Sequence, residues 1–166
     1  MNIVLRNAKR EDCKELSNIK HKVWLTTYRG IYDDSDLDNY DYLKHENKFI
    51  SKLDELYVIE SDDTLIGYFS FGVPRHNYLD YTHCINSLYI LEGYKGKGIG
   101  RRVFEFIDNY CKNNNISKYF TNCNKYNTNA LGFYLKMGGV VTLLEDTNED
   151  KAAHQYYIEF KKRVNS

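Results

Sequence analysis

One stretch of the sequence combines glycines with positive charges, between an apolar run and a helix-like segment. Residues 94–102 read Tyr-Lys-Gly-Lys-Gly-Ile-Gly-Arg-Arg. Glycines let the backbone approach a ligand closely and adopt positive φ. The first turn of a following helix offers unpaired N–H groups and the positive end of the helix dipole. With four cationic side chains and no acid, this loop predicts a cradle for a phosphate or pyrophosphate group.

The loop lacks the signatures of two common phosphate-binding motifs. No Lys-Ser or Lys-Thr follows Gly98, as a P-loop requires, and Val103 stands where a dinucleotide-binding fingerprint places its third glycine. Hydrolysis of nucleoside triphosphates and binding of dinucleotides are therefore disfavoured. A kinase-like enzyme that uses the same basic loop, or a solvated basic turn without a ligand, stays open at this point.

Composition narrows the class of protein further. The chain has 166 residues, 42% of them hydrophobic and 28% charged, with a net charge of zero. This length predicts a single domain over residues 1–166. The zero net charge disfavours binding to nucleic acid or to an anionic membrane. The N-terminus has no apolar core of a signal peptide, and the four cysteines form no C-x-x-C pair. We therefore expect free thiols in the cytoplasm, and no metal site.

The elements that must position the loop follow from the hydrophobic patterning. Their order predicts an α+β fold, a single-domain mixed and largely antiparallel central sheet flanked by helices. A capping box is expected between Asp12 and Glu15. The expected strands are Asn2–Asn7, Leu56–Glu60, Leu65–Val73, Cys84–Leu91, Lys118–Asn122, Val140–Leu144 and Gln155–Lys161. The expected helices begin at Asp12, lie once or twice within residues 33–51, span Gly98–Asn113, and run from an Asn127 cap to a stop at Gly138.

Two motifs in this order resemble the GNAT superfamily of N-acetyltransferases. Leu88-Tyr89-Ile90 and the loop resemble the acetyl-CoA motif [Q/R]-x-x-G-x-[G/A], with Lys95 in place of Gln or Arg. Downstream, the chain is similar to the family's N-x-x-A-x-x-x-Y-x-x-x-G at Asn127, Ala130, Tyr134 and Gly138. The resemblance covers roughly Asn2 to Lys161, and the specific matches lie within residues 84–139.

The resemblance implies a GNAT-like acyl-CoA N-acyltransferase fold, acetyl-CoA as cofactor and coenzyme A as product. In the family, the strand before the loop pairs with the pantetheine arm, which implicates Leu88, Tyr89 and Ile90. The Ile90 amide would polarise the thioester carbonyl. Asn127 would contact the cofactor, cap its helix, or do both. The loop amides that would hold the pyrophosphate belong to Lys95, Gly96, Lys97, Gly98, Ile99, Gly100 and Arg101.

The resemblance also assigns the acid–base chemistry in part. Tyr134 matches the family's general acid, which protonates the departing thiolate; the alternative is a tyrosine that only packs its helix. Many members carry a glutamate base where this chain has Cys84. His83 is the nearest imidazole and a candidate base, directly or through a water, although alternation sends it to the opposite face from Cys84. An ordered water or another tyrosine is the competing assignment.

The acceptor side has a weaker signature. Trp24, Tyr28 and Tyr32 resemble a pattern that lines the acceptor side in family members acting on small molecules and polyamines; the alternative is an aromatic core. Five aspartates follow within residues 33–41, either to steer a cationic amine or as a solvated face. We therefore expect direct acetyl transfer to a primary amine, a small cationic one. A sensor without turnover, a protein or peptide N-acetyltransferase, and a homodimer remain alternatives.

Overall fold

The computed structural model describes residues 1–161, which form seven strands hydrogen-bonded in the order β1-β2-β3-β4-β5-β7-β6. All pairs with a determined register are antiparallel except β4 with β5. This is the predicted mixed, largely antiparallel α+β architecture. The strands are β1 Ile3–Asn7, β2 Leu56–Ser61, β3 Thr64–Gly72, β4 Cys84–Ile90, β5 Lys118–Asn124, β6 Val140–Glu145 and β7 Gln155–Lys161. The α-helices are α1 Cys13–Thr27, α2 Asp34–Asp38, α3 Tyr42–Ile50, α4 Ile99–Asn113 and α5 Thr128–Lys136.

The chain divides into two compact units. Unit 1 consists of Met1–Phe71 and Ser87–Val103, and unit 2 of Gly72–Asn86 and the chain from Phe104 onward. Unit 1 therefore holds the glycine-rich loop and the end of β4. Unit 2 holds the start of β4, most of α4, and α5. In the part of the chain that the structure describes, no helix is long and apolar enough to cross a membrane.

Unit 1 contains the three antiparallel strands β1, β2 and β3. Strands β2 and β3 are joined by a tight turn in which Asp62 and Asp63 both adopt positive φ, 47° and 67°, a conformation that aspartate tolerates better than most residues. The buried stripe of α1 packs on this sheet. The core includes Leu16, Ile19, Val23, Val58 and Tyr68, all at most 7% exposed.

The predicted capping box at the start of α1 is wrong. The Asp12 carboxylate accepts hydrogen bonds from the Lys9 amide at 2.8 Å and from the Arg6 guanidinium at 2.8 Å, while Glu15 instead accepts from Asn18. The Arg6 hydrogen bond lowers the pKa of Asp12, although burial opposes this. The Arg6 guanidinium on β1 thus binds the Asp12 carboxylate, which the local pattern had predicted to cap α1.

Unit 2 combines a parallel with an antiparallel ladder. Strand β4 pairs with β5 at Cys84–Phe120 and Ile85–Thr121, and β7 lies between β5 and β6. The part of α4 that lies in this unit buries Phe104, Ile107 and Cys111. All four cysteines of the chain are free and buried.

Candidate functional site

The glycine-rich loop of unit 1 has the backbone conformation that its sequence predicts. Gly96 and Gly98 adopt φ of +74° and +78°, and a Cβ at either position would meet no atom within 4 Å. The Gly98 carbonyl accepts from the Arg102 amide at 3.3 Å, so α4 begins directly behind the loop. Ile99 is 2% exposed and anchors this turn. The first helical N–H groups therefore lie beside open space, as an anion site requires.

The loop cations do not share one role. Arg102 donates to the Ile3 carbonyl at 3.0 Å and is held against β1. Lys95 pairs with the exposed Glu92 at 3.0 Å, an exposed ion pair of little intrinsic strength. Lys97 lies 5.8 Å from the centre of the Tyr94 ring. Arg101 is exposed. The backbone amides, Lys97 and Arg101 are thus the groups best placed to meet a phosphate.

The end of β4 differs from its start in burial and in strand pairing. Cys84 and Ile85 are buried and form the whole ladder with β5, whereas Leu88, Tyr89 and Ile90 are only partly buried. After the strand, the Leu91 amide donates to the Ile66 carbonyl of β3 at 2.9 Å. These residues therefore keep an edge on which an extended ligand arm could lie.

Gly67 on β3 is required by the close approach of this strand end. A Cβ at Gly67 would lie 2.4 Å from the Tyr89 carbonyl oxygen and 3.2 Å from Ile90 Cα. We expect Gly67→Ala to lower the free energy of unfolding by about 1–3 kcal/mol, because two backbones must move apart. Urea denaturation measures this. Gly132→Ala is the matched control, since Gly132 lies in α5 with open space around it; equal stability of both variants would contradict the prediction.

The three predicted acceptor-side residues form one aromatic cluster in unit 1. Tyr28 and Tyr32 are stacked with ring centres 4.3 Å apart, and Trp24 contacts Tyr32 edge-on at 5.4 Å. Tyr28 is 7% exposed, whereas Trp24 and Tyr32 are partly exposed. The Lys20 ammonium lies 4.9 Å from the centre of the Trp24 ring. One tyrosine thus belongs to the core, and the other two residues offer accessible aromatic surface.

Sequence reasoning missed a second part of this cluster. Tyr40 is sandwiched between two imidazoles, with ring centres 4.4 Å from His21 and 4.3 Å from His45. Lys20 donates to His45 Nδ1 at 3.0 Å, so His45 must be neutral to accept. Burial and the nearby lysines lower the pKa of His45 to about 4. No local pattern predicts this stack, because its members come from α1, the α2–α3 connection and α3.

His45 makes the stability of unit 1 depend on pH. Its pKa is about 4 when folded, against 6.5 for an ordinary histidine. The unfolded chain therefore binds the proton first, and stability falls as pH drops from about 6.5 to 4. After allowance for solvent screening, the loss is on the order of 1 kcal/mol.

Comparison with His45→Gln isolates this contribution. Urea denaturation at pH 7 and pH 5 gives the fall in the free energy of unfolding for each protein. The fall should be smaller in the variant, which keeps the surrounding Lys20, Lys44, Lys48 and Asp41. Equal falls would show that His45 does not titrate as its surroundings indicate.

The acidic segment that follows the cluster is partly neutralised. Arg29 pairs with Asp34 at 3.1 Å and with Asp38 at 2.9 Å. Asp41 caps α3 by accepting from the Lys44 amide at 3.0 Å. Five aspartates against one arginine still leave residues 28–42 with a net charge of −4. A solvated, capping face and a field that attracts cations are therefore both present.

A hydrogen bond joins the aromatic cluster to β4 within unit 1. Trp24 Nε1 donates to Tyr89 Oη at 3.3 Å, and the Tyr89 ring contacts that of Tyr68 with centres 5.3 Å apart. The residues predicted for the acceptor and for the pantetheine arm are therefore brought together. The sequence did not signal this contact, which spans 65 residues.

In unit 2, α5 carries the second motif as predicted. Asn127 caps the helix, accepting from the Ala130 amide at 3.2 Å, and Gly138 follows its last turn with φ +98°. Tyr134 is 7% exposed and packs with Phe104, Phe133 and Phe160 at ring-centre distances of 6.2, 5.6 and 6.4 Å. The predicted cap is confirmed, and the motif tyrosine lies in a mainly aromatic environment.

The two residues considered for other chemistry at the start of β4 also lie in unit 2. Cys84 is 2% exposed, and burial raises the pKa of its thiol to about 12, so it does not supply a thiolate nucleophile. His83 precedes the strand; its Nδ1 is 2.9 Å from Thr82 Oγ1 and its ring centre 6.3 Å from that of Tyr110. His83 thus directly precedes the first residue of β4.

The sequence analysis did not predict a buried carboxylate network in unit 2. Glu159 on β7 accepts hydrogen bonds from Tyr81 and, at 2.7 Å, from Tyr78. Burial opposes ionisation of Glu159, but these hydrogen bonds outweigh it and lower its pKa to about 2. The network ties the segment between β3 and β4 to the sheet. Within residues 1–161, no group of three His, Cys, Asp or Glu side chains could hold a metal ion.

Comparison with known proteins identifies the family. Residues 11–139 match the model of the Acetyltransferase (GNAT) family, a stretch that contains both motifs. The chain therefore belongs to this family, and the resemblance found in the sequence is confirmed. The predicted enzyme class, an acetyl-CoA-dependent N-acetyltransferase, and the predicted cofactor agree with this family.

Individual relatives agree with this family. The uncharacterized N-acetyltransferase YuaI of Bacillus subtilis (strain 168) is 30% identical over 103 residues, 61% of this chain and 60% of that relative. PaiA N-acetyltransferase of Thermoplasma acidophilum, solved in complex with coenzyme A, superposes with a TM-score of 0.80 at 22% identity, covering 98% of this chain and all of that one (100%). YncA of Salmonella typhimurium, a putative acetyltransferase solved with acetyl-CoA, superposes with a TM-score of 0.72 at 18% identity. The match covers 99% of this chain and 96% of that one. These structures show the same fold.

Proposed function

We propose that this protein transfers the acetyl group of acetyl-CoA directly to the nitrogen of a small cationic primary amine. The observation that carries the proposal is the loop of unit 1, where two glycines with positive φ border open space at the start of α4. Backbone amides in that arrangement bind the pyrophosphate of coenzyme A. The cofactor residues are Leu88, Tyr89, Ile90, Lys95, Gly96, Lys97, Gly98, Ile99, Gly100, Arg101 and Asn127.

Chemistry at the thioester is assigned to two groups. The Ile90 amide polarises the carbonyl as the amine attacks, and Tyr134 gives its proton to the thiolate that leaves. Both roles rest on the motif positions within the family. Direct transfer is supported by the raised pKa of Cys84, about 12, which leaves this thiol protonated and a poor nucleophile. His83, which directly precedes β4, remains a candidate base.

The acceptor class is proposed from unit 1. Trp24 and Tyr32 offer accessible aromatic faces, with Tyr28 behind Tyr32, and aromatic faces attract cations. The segment that follows carries a net charge of −4, which raises the local concentration of cationic amines. We place the reaction in the cytoplasm, because all four cysteines are free thiols, as in a reducing compartment.

Thermal melting with acetyl-CoA, coenzyme A, ATP and NAD in parallel tests the cofactor. A ligand at 100 times its Kd adds about 2.7 kcal/mol, which raises Tm by roughly 5–10 °C in a chain of this length. Only acetyl-CoA and coenzyme A should do so. Release of free thiol from acetyl-CoA is then measured with a panel of diamines, arylalkylamines, amino acids and a peptide with a free amino terminus.

The outcomes separate the alternatives. Thiol release that requires a diamine or arylalkylamine supports the proposal, and release that requires only the peptide replaces it with a protein N-acetyltransferase. Binding of acetyl-CoA without release by any amine would identify a sensor. A shift with ATP or NAD alone would show that the loop binds a different ligand.

A further inference from the structure

The remaining chemical question in the proposed reaction is where the proton of the acceptor nitrogen goes. As the C–N bond forms, the nitrogen becomes positively charged and must lose a proton. The position at which many family members carry a glutamate is Cys84, which is buried with a thiol pKa of about 12. A protonated thiol cannot take the proton. Another group must do so.

Tyr89 has the contacts that such a group needs. Trp24 Nε1 has a hydrogen to give and no lone pair to offer, so Tyr89 Oη acts only as the acceptor in their 3.3 Å contact. That contact leaves Oη a second lone pair and its own proton. Within residues 1–161, no other hydrogen bond engages the Tyr89 side chain, which is only partly buried.

Tyr89 lies between the residue proposed to polarise the thioester carbonyl and the aromatic cluster proposed to bind the acceptor amine. It directly precedes Ile90, whose amide is assigned to the thioester carbonyl, and its ring points to the side of the sheet that carries α1 and the aromatic cluster. The cation of Lys20, 4.9 Å from the centre of the Trp24 ring, withdraws electron density from the indole. This strengthens the N–H donation that holds Tyr89 Oη in position.

We propose that Tyr89 is a catalytic residue that orients the acceptor amine and takes up its proton, with Trp24 as the positioning residue behind it. This rests on the proposed acetyl transfer. The reacting nitrogen first loses its ammonium proton to water; Tyr89 Oη then accepts a hydrogen bond from the neutral amine, whose lone pair attacks the carbonyl carbon. The C–N bond forms and the C–S bond breaks. The nitrogen's proton passes to Tyr89 Oη while the phenol's own proton passes to water, and the thiolate takes a proton from the general acid of the proposed reaction, which water replaces.

The test is a set of variants assayed with acetyl-CoA and the best amine of the panel. Tyr89→Phe should lower kcat about 100-fold, in the range of a lost proton-transfer group, with Tm and the Kd of coenzyme A unchanged. Its defect should shrink at high pH, where hydroxide can take the proton. Trp24→Phe keeps an aromatic ring and removes the N–H, and should lower kcat by about tenfold, the cost of one lost hydrogen bond.

A double variant separates catalysis from packing. Because Trp24 acts through Tyr89, the double variant should be no slower than Tyr89→Phe alone. Tyr68→Phe is the matched control, since its ring contacts Tyr89 and it should keep the kcat and pH profile of the wild type. Wild-type kcat in Tyr89→Phe, or a defect independent of pH, overturns this proposal and leaves acetyl transfer standing. A wild-type protein without turnover overturns the proposed function, and this role with it.

Discussion

Gly98→Val is expected to weaken binding of coenzyme A and acetyl-CoA by at least about tenfold, which corresponds to 1.4 kcal/mol. Gly98 has φ +78°, and the position of its absent Cβ is surrounded by open space. A side chain there would occupy the volume above the first amides of α4, where the pyrophosphate is proposed to bind. The β-branched side chain also disfavours positive φ, so the loop amides would turn away from the ligand. Isothermal titration calorimetry with coenzyme A measures the change.

Two further variants separate the two causes. Gly98→Asn adds a side chain but tolerates positive φ, so it should lose affinity through occupation of space alone. Gly93→Ala serves as the control, because Gly93 also has open space around it but lacks positive φ; its affinity should equal that of the wild type. Unchanged binding in Gly98→Val would show that the cofactor does not use this loop.

The elements and both motifs could be predicted from the sequence because their signals are local. The Asn127 cap and the Gly138 stop each depend on residues within the length of one short helix. Glycines at alternate positions behind an apolar strand determine the conformation of the loop in the same way. Because these features are formed by residues that are neighbours in sequence, the residue types and their spacing were sufficient to predict them.

The features that the sequence analysis did not predict depend on contacts between residues distant in sequence. Arg6 takes the Asp12 carboxylate from the predicted capping box, and Gly67 is explained only by the backbone of Tyr89 across the strand pair. The stack of His21, Tyr40 and His45 joins three segments. A lone glycine inside a strand does indicate close backbone approach, so Gly67 had a signal. The histidine stack had none, because aromatic residues at helical spacing do not specify their partners.

Tyr134→Phe is expected to lower kcat about 100-fold while the Kd of coenzyme A stays within about twofold of the wild type. The phenyl ring keeps the contacts with Phe104, Phe133 and Phe160, so the loss isolates the hydroxyl. Without its proton the thiolate must leave as an anion, which raises the barrier to C–S cleavage. Steady-state kinetics at saturating acetyl-CoA, with calorimetry for coenzyme A, give both numbers.

Tyr119→Phe is the matched control for this prediction. Tyr119 is also a buried tyrosine of unit 2 and stacks on Phe160 with ring centres 5.0 Å apart, but it lies on β5, outside the motif. Its phenol contacts Asp108 at 3.5 Å, so removal of this hydroxyl tests whether loss of any buried phenol in the unit slows turnover. A kcat that falls equally in both variants would reduce Tyr134 to a packing role. A kcat that falls only in Tyr134→Phe would show that the Tyr134 hydroxyl supplies the proton to the departing thiolate, because the two substitutions remove the same atom from similar surroundings.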